Sequence, residues 1–99
     1  MMIESQELIV TAHARCRLQE RGISQQAVKH ALQFGRCYPA KGDAVAVYLG
    51  PFLASVLLGP SEAWIEARLG LVLIVGLGLR LLTAYFIDTS VAERRFGGA

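Results

Sequence analysis

His13, Arg17 and Arg21 recur every four residues within the stretch Thr11 to Ser24. That spacing lines one face of a helix. An imidazole beside two guanidinium groups is the equipment of metal-free RNA cleavage. A base takes the 2′-hydroxyl proton, cations hold the phosphate and an acid protonates the leaving oxygen. His13 is the candidate base, and Arg17 and Arg21 can grip a phosphate in bidentate fashion. Tyr85, near the end of the last apolar run, can be the acid if its strand end meets the helix face. Arg15 and Lys29 extend the cationic surface that would hold RNA.

The same residues admit a structural role. Two like charges one turn apart cost a helix roughly 0.2–0.5 kcal/mol, so both guanidinium groups need partners. Glu20 follows Arg17 at i+3. The arginines can also pin the helix to the C-terminal hairpin, through Thr83 or a backbone carbonyl. His13 can bond the sheet or a carbonyl in the same way.

The chain of 99 residues suits one domain, with a core expected over about 8–87 and a flexible tail over 88–99. Its net charge of +2 is unevenly placed. Arg15, Arg17, Arg21, Lys29, Arg36 and Lys41 stand against Glu20 alone in residues 11–41. Such a patch points toward an anionic partner, or toward a solvated helix face. Cys16 and Cys37 are too few for a disulfide framework, and the acidic start lacks a leader pattern. These features predict a cytoplasmic protein with reduced thiols. Gly50-Pro51 and Gly59-Pro60 break the longest uncharged run, so no membrane span is expected.

His13, Cys16, His30 and Cys37 lack the tight ligand pairs of common zinc sites. Neither a metal nor a cofactor is expected. Gly76-Leu77-Gly78 is followed by another aliphatic run, which makes it a hairpin turn and not a nucleotide loop. Trp64 can anchor a partner or pack in the core. The aliphatic excess favours a homodimer or a partner protein.

The elements that must position these residues follow from local signals. A lead-in strand is expected over 7–10. Thr11 can cap a helix over 12–21 that Gly22 stops. Ser24 can cap a second helix over 25–34, with Ile23 and Val28 as a hydrophobic staple. Ala27, Val28, Ala31 and Leu32 give that helix an apolar stripe, and Gly35 suits its C′ position. Residues 44–49 suggest a strand. Residues 51–58 suit a helix or a strand equally. Residues 71–75 and 79–87 pair as a hairpin whose apolar character on both faces makes it central. The fold class predicted is α+β, with two N-terminal helices on a mostly antiparallel sheet of three to four strands.

The signature Thr-x-His-Ala-x-x-Arg-x-x-x-Arg-Gly-Ile-Ser (Thr11 to Ser24) is joined by Phe34-Gly35 and by Leu82-Thr83-Ala84-Tyr85. Over roughly residues 8–87 the chain resembles a small bacterial domain-of-unknown-function family. That family is related to the RelE/ParE-like toxins, near the BrnT type. The resemblance implies a RelE/BrnT-like fold with His13, Arg17, Arg21, Gly22, Thr83 and Tyr85 as motif positions. It also implies RNA or the ribosome as target and a small antitoxin-like protein as partner. The superfamily holds ribonucleases, gyrase poisons and members without known activity, so it does not by itself fix an activity. RelE-like ribonucleases tend to carry basic and aromatic residues on the sheet. Here Arg80 is the only basic residue of the expected strands. A toxin-like RNA-binding domain or ribonuclease therefore stands beside a non-catalytic interaction module whose His/Arg face is structural.

Overall fold

The hairpin expected around Gly76–Gly78 forms the middle of the sheet. The protein is represented by a computed structural model that describes residues 8–50 and 69–96. Its elements run β1 (Ile9–Val10), α1 (Ala12–Glu20), α2 (Gln25–Phe34), β2 (Arg36–Pro39), β3 (Val45–Tyr48), β4 (Leu71–Gly76), β5 (Arg80–Phe86) and α3 (Thr89–Arg95). The strands form one sheet of order β1-β5-β4-β3-β2. Only the β1–β5 pair is parallel; the others are antiparallel. The expectations for residues 51–58 and for Trp64 fall outside the described residues.

Both helix starts obey their caps. Thr11 Oγ1 accepts the Ala14 N–H at 3.1 Å, and Ser24 Oγ accepts the Ala27 N–H at 3.0 Å. Gly22, at φ 63°, lies just past the end of α1. Ile23 and Val28 are buried in one cluster with all four residues of the α2 stripe.

Gly35 departs from expectation. Its backbone is extended, at φ −72° and ψ 158°, and not left-handed. Glycine is required there by space. A Cβ would collide with the Ala31 carbonyl oxygen and lie 2.6 Å from Val47 Cγ1.

The apolar strands alternate between two layers. Leu71, Leu73 and Val75 of β4 join Val47 and Leu49, Leu81 and Ala84 beneath α1 and α2. Val72 and Ile74 face the other way, with Ala46, Tyr48, Tyr85 and Ala92. That second apolar face is covered by α3, where the sequence suggests only a frayed tail. Asp88 caps α3 by accepting the Ser90 N–H at 2.9 Å. The Ser90 hydroxyl and then the Ser90 N–H hold the Asp88 carboxyl below its usual value against an opposing desolvation, with smaller help from the Val91 N–H and Arg94. Phe96 follows α3, stacked on Tyr38 at 4.7 Å and tilted against Tyr48 at 5.2 Å between ring centroids.

Among the described residues the sheet has five strands, where the sequence predicts three or four. The one not expected is β2, an edge strand whose identity depends on pairing. β2 lies against β3 and brings Arg36 into the sheet alongside Arg80. β1 contributes two residues beside β5. No helix among the described residues is long and apolar enough to cross a membrane.

One irregularity governs the site. The β4–β5 register runs Ile74↔Thr83 and then Val75↔Leu81, leaving Leu82 as an extra residue. Such a bulge reverses the alternation of faces and of edge groups beyond it. Leu81 and Ala84 therefore share the α1 face, while Tyr85 points to the other.

Candidate functional site

The β5 edge beyond β1 is where α1 is fastened. Ile9 N–H donates to the Leu79 carbonyl at 2.8 Å and Thr11 N–H to the Leu81 carbonyl at 3.3 Å. The Thr11 hydroxyl donates to the same Leu81 oxygen at 2.9 Å. The chain then turns into α1, and the rest of the β5 edge loses its neighbouring strand. The bulge makes Ala84 the next residue to present a carbonyl to that edge. Arg21, the C-cap residue of α1, donates a guanidinium hydrogen bond to the Ala84 carbonyl. A cationic side chain thus completes an edge that backbone no longer reaches.

The other members of the His/Arg triad are arranged differently. Arg17 Nη1 meets Glu20 Oε2 at 2.7 Å on the surface of α1. An exposed pair of this kind contributes about 0–1 kcal/mol. Its effect here is to occupy the guanidinium. His13 is exposed near the start of α1.

Tyr85 does not join these residues. It packs against the cluster of Ala46, Tyr48, Val72 and Ala92 on the α3 face, and Arg95 Nη1 lies 3.5 Å from its hydroxyl. Thr83 pairs with Ile74, which also belongs to the α3 layer. The sequence expectation that Tyr85 or Thr83 meets the helix face assumes an unbroken strand. Counting alternate residues from Leu81 would bring both to α1, and the extra Leu82 moves both away.

Arg15 and Lys29 meet at a second feature. A groove of about 640 Å³ opens between the two helices and β1, floored by Leu8, Val10, Leu18, Ile23, Val28 and Leu32. Its polar lining is Arg15 and Gln19 from α1 with Gln25 and Lys29 from α2. Helical spacing explains the set. Residues 15, 18 and 19 share one face of α1, and residues 25, 28, 29 and 32 share one face of α2. Among the described residues, two cations and no carboxylate line the groove. The sequence signal was an apolar residue flanked by a long polar one on each helix. Only the packing of the helices shows that these faces confront each other.

Cys16 is exposed and Cys37 half-buried, and neither is in a disulfide. No group of three or more His, Cys, Asp or Glu among the described residues is placed to hold a metal ion.

Among the described residues, fold and site together define a small domain of three helices on a five-stranded sheet, with a basic-rimmed apolar groove at the β1 edge. Residues 10–58 match a family model described as a domain of unknown function, DUF4258. The matched stretch spans α1, α2, β2 and β3, and stops before the central hairpin. No curated protein and no solved structure matches the chain.

Proposed function

We propose that this chain is a non-catalytic interaction module in which the His/Arg face of α1 is architectural and the groove between the helices makes the contacts. The observation that carries this reading is the bond from Arg21 to the Ala84 carbonyl. A guanidinium fastened to a sheet edge has a structural use that requires no phosphate. The Arg17–Glu20 pair and the distant Tyr85 support the same reading.

The second reading is a toxin-like domain that binds RNA and cleaves it without a metal. It draws support from the exposed His13 and from the cationic helices. A ribosome target and a small antitoxin-like partner belong to that reading. A homodimer fits either. Incubation of the purified chain with RNA, with and without ribosomes, separates the two. The interaction module shows no cleavage that responds to His13→Ala or Tyr85→Phe. Cleavage that falls about 100-fold in either variant, the usual size for a general acid or base, overturns it.

A further inference from the structure

Resting on the interaction-module reading, we infer that the groove takes an extended, acidic segment of a partner protein, added as a further strand beside β1. Two independent features define that occupant. The first is the backbone of the edge. β1 ends the sheet order and has no neighbour on its outer side among the described residues. Ile9 and Thr11 turn their N–H groups toward β5. Alternation along the strand therefore turns the N–H and C=O of the intervening Val10 outward. An outward donor and acceptor pair of this kind is completed by another polypeptide strand. A small apolar ligand cannot supply it.

The second feature is the lining. The Val10 and Leu8 side chains form one wall of the groove, so a strand paired with Val10 lays alternate side chains onto its apolar floor. Among the described residues, Arg15 and Lys29 are the charged side chains at the groove, and no carboxylate lines it. Glu20, the acid of α1, is engaged by Arg17. The complement is apolar residues at alternate positions, with carboxylates flanking them on the same face. Ile9, 54 % exposed on the same edge strand, adds apolar surface on the opposite face of the added strand.

The test uses the full chain, labelled with ¹⁵N, and the probe peptide acetyl-Glu-Ser-Leu-Ser-Leu-Ser-Glu-amide. Its alternate residues place two leucines between two glutamates on one face, whichever way it runs. Binding is expected to shift the amide signals of Val10, Leu18, Val28 and Lys29. Exchange of the Val10 amide should slow by about tenfold or more once a strand covers it. The same peptide with lysine for glutamate should bind at least about tenfold more weakly. The double reversal Arg15→Glu with Lys29→Glu should invert that preference. Both side chains are exposed, and an unchanged melting midpoint shows that the variant is folded. Equal affinity for the two peptides overturns the inference, as does an unchanged Val10 exchange rate. So does an RNA oligomer or a second copy of the chain that shifts these residues in preference to the acidic peptide. Failure here leaves the module reading standing, because that reading is tested separately, by His13- or Tyr85-dependent RNA cleavage.

Discussion

Gly70→Ala is expected to lower stability by about 3 kcal/mol or more, from a left-handed backbone cost and a steric overlap acting together. Gly70 joins the end of β3 to the end of the hairpin. Its N–H donates to the Leu49 carbonyl at 2.8 Å, and its carbonyl accepts the Ile87 N–H at 2.8 Å. The backbone sits at φ 86°, where a side chain is disfavoured. A Cβ there would also overlap the Ile87 carbonyl oxygen, which is backbone and cannot swing aside. Urea unfolding checks this. The midpoint should fall sharply with little change in slope. Gly22→Ala is the control. Gly22 is also left-handed, at φ 63°, but nothing lies within 4 Å of its Cβ position. Its loss should be confined to the backbone term, about 1 kcal/mol. Equal losses at the two positions would show that the close approach at Gly70 is unimportant.

Leu81→Ala is expected to lower stability by about 2–5 kcal/mol, the range for removing a fully buried leucine. Leu81 is 0 % exposed, and its carbonyl receives both the N–H and the hydroxyl of Thr11. A cavity beneath it loosens the start of α1 as well as the core. Hydrogen exchange in α1 should therefore accelerate more than in β3. The neighbouring Leu82, 39 % exposed, gives the contrast: Leu82→Ala should cost less than about 1 kcal/mol. Calorimetric melting separates the two. A Leu81→Ala loss as small as that of Leu82→Ala would contradict the layer assignment around the bulge.

The helical half of the fold was legible because its signals are local. Thr11 and Ser24 each bond a backbone N–H three residues on. The apolar stripe of α2 then follows at helical spacing. The hairpin was legible from two aliphatic runs around Gly76 and Gly78, although the turn residues prove to be Leu77, Gly78 and Leu79. β2 was hidden because Arg36-Cys37-Tyr38-Pro39 has no strand pattern of its own and is extended by pairing with β3. α3 carried a readable signal, an Asp88 cap with Arg94 and Arg95 in its last turn, which the glycine-rich end obscured.

The site was legible in its residue types and not in its connections. An arginine pinning the helix to a hairpin carbonyl was one of two sequence readings of Arg21. Which carbonyl it meets depends on Leu82, because one extra residue in β5 exchanges the faces of everything after it. Residue alternation cannot disclose such a bulge. That single displacement brings Ala84 to the helix and carries Thr83 and Tyr85 to the α3 layer. The groove was hidden for a related reason, since its walls come from three elements that meet only in the folded chain.

The architectural role of the His/Arg face is tested most directly by chemical denaturation of Arg21→Ala, with binding to a single-stranded RNA oligomer measured on the same samples. Loss of a charged donor from the Ala84 carbonyl should lower stability by about 1–3 kcal/mol and leave any RNA affinity unchanged beyond the loss of one surface charge. An unaltered unfolding midpoint together with markedly weaker RNA binding would contradict the account and return Arg21 to the phosphate-binding role.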